Sequence, residues 1–199
     1  MTDSRQEVIA EHFQRSLETV TTATADRDFL TATLAIADAI TRTFRNGGKL
    51  LIAGNGGSAA DAQHIAGEFL SRFRLERRPL AAIALTTDTS VLTAIGNDYG
   101  YDQVFVRQIL GLGRPGDAFL AISTSGRSPN VLAALEVARS VPLITIGFSG
   151  RGNTAMHPLC DLTLSAPSND TPLIQQIHII AAHAICELVE RDLFRDTRR

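Results

Sequence analysis

The sequence lacks the features that mark membrane, secreted and nucleic-acid-binding proteins. No apolar run reaches the roughly 18 residues of a membrane-spanning helix, and the N-terminal stretch MTDSRQEVIAEHF has no apolar segment typical of a secretory signal. With 19 basic and 21 acidic residues, the chain has no excess of positive charge to attract nucleic acid. The only two cysteines, Cys160 and Cys186, lack metal-site spacing, which favours reduced thiols. We therefore expect a cytoplasmic protein that binds neither membrane nor nucleic acid.

The pattern of apolar residues changes once along the chain. Helical spacing covers most of the first 46 residues, and NGG at 46–48 is a typical helix stop. Strand-like apolar runs then recur at 49–53, 80–85, 117–122, 142–147 and 161–164. Helical patterns separate or follow them at 59–74, 88–96, 102–112, 129–140 and 173–194.

Strands that are apolar on both faces and alternate with helices are typical of a parallel sheet covered on both sides. We therefore predict an α/β fold, a three-layer αβα sandwich with a five-stranded parallel sheet, preceded by a helical hairpin over residues 1–47. No repeat or linker divides the 199 residues, so residues 1–199 are predicted to form one domain.

A glycine-rich stretch, GNGGSA at 54–59, leaves the first predicted strand and enters a helix. Glycines there let backbone N–H groups approach an anion or a cluster of hydroxyls, helped by the helix N-terminus. The stretch also fits a dinucleotide fingerprint, G-x-G-x-x-A. The acidic residue expected about 20 positions later is missing, since Phe73 and Arg74 stand there, so we disfavour dinucleotide binding.

A hydroxyl-rich stretch, ISTSGRSPN at 122–130, leaves the third predicted strand. Ser128 suits the N-cap of a following helix, and hydroxyls beside a helix start suit a phosphate monoester. An ordinary serine-rich turn would explain Ser128 but not Ser123, Thr124 and Ser125, so we interpret the stretch as a phosphate-binding loop. Both stretches follow strands, so we expect them at the carboxyl edge of the sheet, where open α/β folds bind ligands.

His64 and Glu68 are four residues apart, so a helix places them on one face. They could ligate a metal ion, act as an acid/base pair, or form an ordinary solvated helix face. Asp98, after Asn97, could bind a sugar hydroxyl or be a plain turn residue. A lone histidine is more often a satisfied core residue, which is our interpretation of His12, His157, His178 and, from its apolar surroundings alone, His183.

Four stretches together resemble the phosphoheptose isomerase family, a branch of the sugar isomerase (SIS) domain proteins: AGNGGSAADAQHIAGEF, ALTTDTSVLTAIGNDYGYD, ISTSGRSPNV and SNDTPLIQQIHIIAAH. The resemblance covers nearly the whole chain. It implies an SIS fold, a cytoplasmic homotetramer and one Zn²⁺ per subunit. It also implies interconversion of D-sedoheptulose 7-phosphate and D-glycero-D-manno-heptose 7-phosphate, the first step of nucleotide-activated heptose biosynthesis.

The resemblance also assigns roles to single residues. The family's acid/base pair matches Glu68 and His183. Its zinc ligands match His64, Glu68, Gln175 and His183. Its substrate contacts match Asn55, Gly56, Gly57, Glu68, Asn97, Asp98, Ser123, Thr124, Ser125, Ser128 and Gln175. Two positions depart from the expected pattern, because a basic residue is expected at Leu173 and often a glutamate at Gln176.

The chemistry agrees with these assignments. Aldose–ketose isomerisation passes through an enediol and needs a base near the two reacting carbons, a proton donor for their oxygens and a grip on the phosphate. A carboxylate, an imidazole and a hydroxyl-rich loop supply these functions. We assign Glu68 as the base and His183 as the acid, and the reverse order remains open.

The spacing of Gln175 and His183 bears on assembly. Eight residues correspond to about 12 Å along a continuous helix, and one metal with bonds of about 2 Å cannot easily contact both. Either the helix begins after Gln175, or the two residues come from different subunits. We predict an active site shared between chains, with residues 1–47 involved in oligomer packing.

Two alternatives remain open. The stretches SRF, ERRPLAAIAL and TDTSVLTAI also resemble a non-catalytic SIS branch that binds the replication initiator DnaA, although that branch lacks counterparts of Glu68 and His183. The other alternative is an isomerase of a different phosphosugar, because no residue measures the length of the sugar chain.

Overall fold

The computed structural model describes residues 4–194. Its α-helices are α1 (Ser4–Ala25), α2 (Arg27–Arg45), α3 (Gly57–Leu70), α4 (Thr89–Tyr99), α5 (Val106–Leu112), α6 (Pro129–Ser140) and α7 (Thr171–Phe194). Its strands are β1 (Leu50–Gly54), β2 (Ala82–Ala84), β3 (Ala118–Ile122), β4 (Ile144–Ser149) and β5 (Leu162–Ser165). Short 3-10 turns occupy Tyr101–Gln103 and His157–Leu159, so the helix predicted at 102–112 is divided in two.

The strands form one parallel sheet in the order β2-β1-β3-β4-β5. Every residue of β1 is buried, and successive side chains enter opposite layers. Leu50 and Ile52 pack in a core with α2, α3 and α7. Leu51 and Ala53 pack in a second core with α4, α5 and α6. This arrangement confirms the predicted three-layer αβα sandwich.

Helix α7 is long and apolar enough, by length and composition, to cross a membrane. Half of its most apolar window is buried inside the protein. Ala181, Ile185 and Val189 pack against the sheet, α2 and α3, while Ile174 and Ile177 pack near Ala23 of α1. Its apolar composition is therefore that of a core helix.

The N-terminal helices form the predicted hairpin, but the two helices pack very differently. The Asp26 carboxylate caps α2 by accepting backbone N–H bonds from Asp28 and Phe29, and α2 buries a continuous apolar stripe. Within residues 4–25 of α1, only Ala23 is buried. The apolar side chains of α1 are instead exposed: Val8, Ile9, Phe13 and Leu17.

Helix α3 ends at Leu70, four residues before its predicted end at 74. The carboxylate of Glu190 on α7 binds the backbone N–H groups of residues 73–75, which a continued helix would bond within itself. Burial raises the pKa of Glu190, but these bonds and the charge of Arg77 outweigh it and hold that pKa below its ordinary value. The end of α3 is therefore determined by a tertiary contact.

Candidate active site

Two segments lie side by side at the carboxyl edge of the sheet, as predicted: residues 54–59, which we name the glycine loop, and residues 122–130, which we name the serine loop. The glycine loop follows β1 and the serine loop follows β3, and these strands are hydrogen-bonded neighbours. The Asn55 and Asn130 side-chain amides exchange two hydrogen bonds of 2.9 Å, and the Tyr101 hydroxyl donates to Asn55 Oδ1 at 3.3 Å. Asn130, in the first turn of α6, was not predicted, because an asparagine at a helix start has common local explanations.

The serine loop presents hydroxyls from a constrained backbone. Ser123 is buried, and its Oγ lies 3.0 Å from Ser128 Oγ. Ser128 stands at the N-cap of α6 as predicted, but its hydroxyl forms no cap bond, since it faces Ser123. Thr124 is half-buried, and Ser125 is exposed. The exposed part of this loop offers hydroxyls to a ligand at the edge of the sheet.

Gly126 shapes the serine loop through a close approach from the segment after β4. Its φ of +61° is left-handed, and a Cβ there would collide with the Thr154 side chain. Thr154 is held by His157, whose Nδ1 accepts the Thr154 backbone N–H at 2.9 Å and whose Nε2 lies 3.1 Å from Ser165 Oγ. His157 is therefore hydrogen-bonded as predicted, but it is half-buried rather than in the core, and it supports the loop.

The glycine loop opens α3 and contacts α7. Gly56 has a φ of +56° and precedes the helix. A Cβ at Gly57 would collide with the Gln175 side-chain amide, so the absence of a side chain at Gly57 lets the amide lie against the loop. The predicted substrate residues Asn55, Gly56, Gly57 and Gln175 are thus brought together at the N-terminus of α3.

Three predicted residues converge between α3 and α7. His64 Nε2 lies 2.9 Å from Glu68 Oε1 and 3.1 Å from His183 Nε2. One ligand atom from each residue lies within 4.8 Å of the others, and all three side chains are partly exposed. Tetrahedral ligands at bonds of about 2.0–2.1 Å stand about 3.3 Å apart. We define these three residues as the histidine cluster, and their donor set and spacing fit a metal ion.

An aromatic side chain that was not predicted borders the histidine cluster. The ring centroid of Phe73 lies 5.5 Å from that of His183, with an interplanar angle of 32°. The centroid of the His183 ring also lies 5.0 Å from that of the His64 ring. The position of Phe73 depends on the tertiary fold, so no local signal in the sequence could have revealed it.

Gln175 does not join the histidine cluster of its own chain. Helix α7 is continuous through Gln175, so the alternative in which the helix begins after this residue is wrong. Gln175 contacts Gly57, whereas His183 contacts His64, seven residues and about 10 Å further along α3. The two α7 residues therefore lie at separate places along α3.

Asn97 and Asp98 are exposed at the end of α4, where the Asn97 amide donates to Asp98 Oδ1 at 2.7 Å. Within residues 4–194, no hydrogen bond joins either one to the other candidate residues.

Leu173 is buried at the start of α7, and the Gln176 amide lies 3.4 Å from His12 Nε2 of α1. The two departures from the family pattern thus lie in a core position and in a contact between helices.

The remaining histidines divide between core and surface. His178 is 1% exposed, and its Nε2 lies 3.0 Å from the Ser149 carbonyl oxygen. Burial lowers the pKa of His178 to about 4, outweighing that hydrogen bond, which raises it. His178 is a core residue, as predicted. His12 is exposed on α1, so its interpretation as a core residue is wrong.

Both cysteines are free thiols in non-reactive surroundings, as expected. Burial raises the pKa of Cys160 to about 12, and the neighbouring charge of Asp161 adds to the shift. Burial likewise raises the pKa of Cys186 to about 12, with a further contribution from Glu68. Neither thiol is activated as a nucleophile.

Comparisons with known proteins agree with the fold. A family model described as SIS domain matches residues 11–150. Phosphoheptose isomerase of Bradyrhizobium sp. (strain ORS 278) is 57% identical over 198 residues, which cover 100% of both chains.

Two solved structures of the same family are close to this fold. Phosphoheptose isomerase from Neisseria gonorrhoeae has a TM-score of 0.88 and 41% identity, covering 93% of this chain and 98% of that one. The enzyme from Francisella tularensis has a TM-score of 0.90 and 34% identity, covering 96% of this chain and 100% of that one. With the site geometry described above, these similarities show that the chain belongs to the phosphoheptose isomerase family of SIS domain proteins.

Proposed function

We propose that the protein is an aldose–ketose isomerase that converts D-sedoheptulose 7-phosphate to D-glycero-D-manno-heptose 7-phosphate through an enediol. The observation that carries this proposal is the histidine cluster, in which one carboxylate and two imidazoles converge from two helices. Full-length relatives named phosphoheptose isomerase support the choice of substrate. The reaction would be the first step of nucleotide-activated heptose biosynthesis, in the cytoplasm.

The residues around the cluster suit the steps of this reaction. Glu68, held on α3, removes the proton from the carbon next to the carbonyl and returns it to the carbon that carried the carbonyl oxygen. His183, at the edge of the same cluster, moves protons on the two oxygens. The reverse assignment of these two roles uses the same geometry. The serine loop binds the phosphate through Ser123, Thr124, Ser125 and Ser128.

The remaining substrate contacts come from the glycine loop and from the end of α4. Backbone and side-chain groups of Asn55, Gly56 and Gly57 hold hydroxyls of the sugar, together with Gln175 beside them. Asn97 and Asp98 are exposed and reach a hydroxyl from the end of α4.

The metal of the site is proposed to be Zn²⁺, one per subunit. His64, Glu68 and His183 would hold it, because nitrogen and oxygen donors at this spacing suit zinc. When bound, zinc would polarise the substrate carbonyl. The proposed fourth ligand is Gln175 from a second copy of the chain. Gln175 of the same chain contacts Gly57, which lies about 10 Å from His64 along α3.

A shared site requires an oligomer, and the surface of α1 supports one. The side chains of Ile9, Phe13 and Leu17 are 57%, 71% and 60% exposed, and their spacing aligns them along one side of the helix. Exposed apolar stripes of this kind usually pack against another chain. We propose a homotetramer, with residues 1–47 of the single domain 1–199 contributing to subunit packing.

The test is isomerase activity on sedoheptulose 7-phosphate, with the zinc content of each preparation recorded. We expect turnover by the wild type and a loss of about 10²- to 10⁴-fold in kcat for both Glu68→Gln and His183→Ala, because each removes a proton-transfer group. Glu136→Gln, an exposed glutamate on α6, is the matched control and should keep wild-type activity.

The same assay separates the alternatives. Turnover of five- or six-carbon phosphosugars in preference to the heptose would show that the chain is an isomerase of another phosphosugar. A folded wild type without turnover on any of these sugars would contradict the proposal and favour the DnaA-binding alternative.

A further inference from the structure

The segment between α3 and β2 is held by one buried carboxylate. Residues 71–81 contain no helix or strand. The Glu190 carboxylate of α7 accepts three consecutive backbone N–H bonds, from Phe73 at 2.8 Å, Arg74 at 2.8 Å and Leu75 at 2.9 Å. The side chain of Glu190 is only 2% exposed, so these bonds lie in the protein interior, where a charged group needs several partners.

Arg77 completes this arrangement and binds the end of α3. Its Nε donates to Glu190 at 2.8 Å, and its side chain is 1% exposed. Its guanidinium also donates to four backbone carbonyls, those of Glu68 at 2.8 Å, Phe69 at 2.9 Å, Arg78 at 3.1 Å and Ser71 at 3.3 Å. Carbonyls in the last turn of a helix lack partners within the helix, so Arg77 caps α3 with a positive charge.

This buried pair is bonded to both sides of the histidine cluster. On α3, Arg77 holds the backbone carbonyl of Glu68 itself. On α7, Glu190 follows His183 by seven residues, which places both on one side of the helix. Glu190 also holds the backbone of Phe73, whose ring lies on that of His183.

We propose that Arg77 and Glu190 are positioning residues, which fix the spacing between Glu68 and His183 and so preorganise the histidine cluster. The cluster needs such support because the side chains of His64 and Glu68 are 47% and 24% exposed, and exposed ion pairs hold their geometry weakly. Metal and proton-transfer sites lose affinity and rate when their supporting contacts are loosened by about 1 Å.

A second buried carboxylate provides an internal control. Asp117, just before β3, accepts the backbone N–H groups of Lys49 at 2.9 Å and Arg114 at 2.8 Å, and it pairs with the Lys49 ammonium. It therefore combines backbone bonds with a cation, as Glu190 does. It stands at the amino edge of the sheet, opposite the glycine and serine loops.

The test compares Arg77→Lys and Glu190→Gln with Asp117→Asn. Each purified apo variant is titrated with Zn²⁺ against a chromophoric chelator, and thermal stability, kcat and KM are measured in parallel. We expect all three variants to lose thermal stability. Only Arg77→Lys and Glu190→Gln should lose zinc affinity, by about 10- to 100-fold, with a lower kcat and a KM within about twofold of wild type.

A milder variant keeps the inference testable if Arg77→Lys or Glu190→Gln does not fold. Phe73→Leu leaves the ion pair intact but removes the aromatic contact with His183, and we expect a smaller loss of zinc affinity. Wild-type affinity in all folded variants at 73, 77 and 190 would overturn the inference, as would an equal loss in Asp117→Asn.

The inference rests on the proposed function for its zinc site and for its kinetic part. Turnover by the wild type with unchanged zinc affinity in the variants would overturn the inference and leave the proposed function standing. If the wild type is inactive and the variants bind zinc more weakly than it does, the proposed function is overturned and the inference stands.

Discussion

The serine loop and the histidine cluster differ in how the chain builds them. The serine loop consists of neighbouring residues, and its backbone closes on itself through the Gly126 N–H bond to the Ser123 carbonyl at 2.9 Å. The histidine cluster joins His64 and His183, which are 119 positions apart, on the partly exposed surfaces of two helices. The phosphate end of the proposed site is thus a local structure, whereas the reacting end depends on helix packing and, in our proposal, on a second subunit.

Among changes outside the acid/base pair, the largest effect is expected from separating the subunits, which should disable the histidine cluster and leave the serine loop intact. Phe13→Glu places a charge in the exposed apolar stripe of α1, so we expect a smaller species in light scattering and a loss of about 100-fold in isomerase activity, the effect of small misplacements in an active site. Thr22→Glu, on the opposite side of α1, is the control. Full activity in a dissociated Phe13→Glu chain would show that the site is complete within one chain.

An intermediate effect is expected from changing the serine loop alone. Ser125→Ala removes one exposed hydroxyl, and because a hydrogen bond to a charged group contributes about 1.5–3 kcal/mol, the KM for the phosphosugar should rise about 10- to 100-fold. Zinc affinity should not change, because the loop is separate from the cluster. Ser140→Ala, at the far end of α6, is the matched control. A fall in zinc affinity with unchanged KM would contradict the division between the two regions.

The smallest effect is on the pH dependence of stability, and it comes from His178, which shares α7 with His183 but lies in the core. Its native pKa of about 4 is below the 6.5 of an unfolded histidine, so as the pH falls through 6.5 the unfolded state binds a proton first. The contribution of neutral His178 to the free energy of unfolding is complete above pH 6.5, and it is lost progressively as the pH falls towards 4. Between pH 7.5 and 5.5 the free energy of unfolding should fall by about 1.4 kcal/mol from this group.

His178→Gln, which keeps a donor for the Ser149 carbonyl, should lose less stability over this interval. Urea unfolding of wild type and variant at both pH values measures the difference, because every other titratable group is common to the two chains. An equal pH dependence in the two chains would show that His178 can be protonated within the fold.

Much of the fold could be predicted because it depends on local patterns. The sheet follows from short apolar runs between helices, and α6 begins at Pro129 and ends at Ser140, as predicted. The end of α3 could not be predicted, because it depends on Glu190. The roles of Phe73 and Arg77 could not be predicted for the same reason, because their partners lie far away on α7. In the sequence, both look like ordinary residues of a polar connection.

The candidate site was predictable where its residues are neighbours. The spacing of His64 and Glu68 places them on one face of a helix, and they are hydrogen-bonded in the structure. Nothing local distinguished His183 from His178, and the family resemblance alone separated them. In the structure, His178 is buried against β4, whereas His183 faces His64.

The sequence by itself determined the layered α/β fold and the two polar loops at the carboxyl edge, because apolar periodicity and the chemistry of glycine and serine act between neighbouring residues. The tertiary structure alone decided that His183 meets His64, that Gln175 stays at the glycine loop, and that Arg77 and Glu190 end α3. These contacts join α3 or the segment that follows it to α7, more than 100 positions later. Such contacts depend on how two helices pack on the same face of the sheet, which no stretch of neighbouring residues encodes.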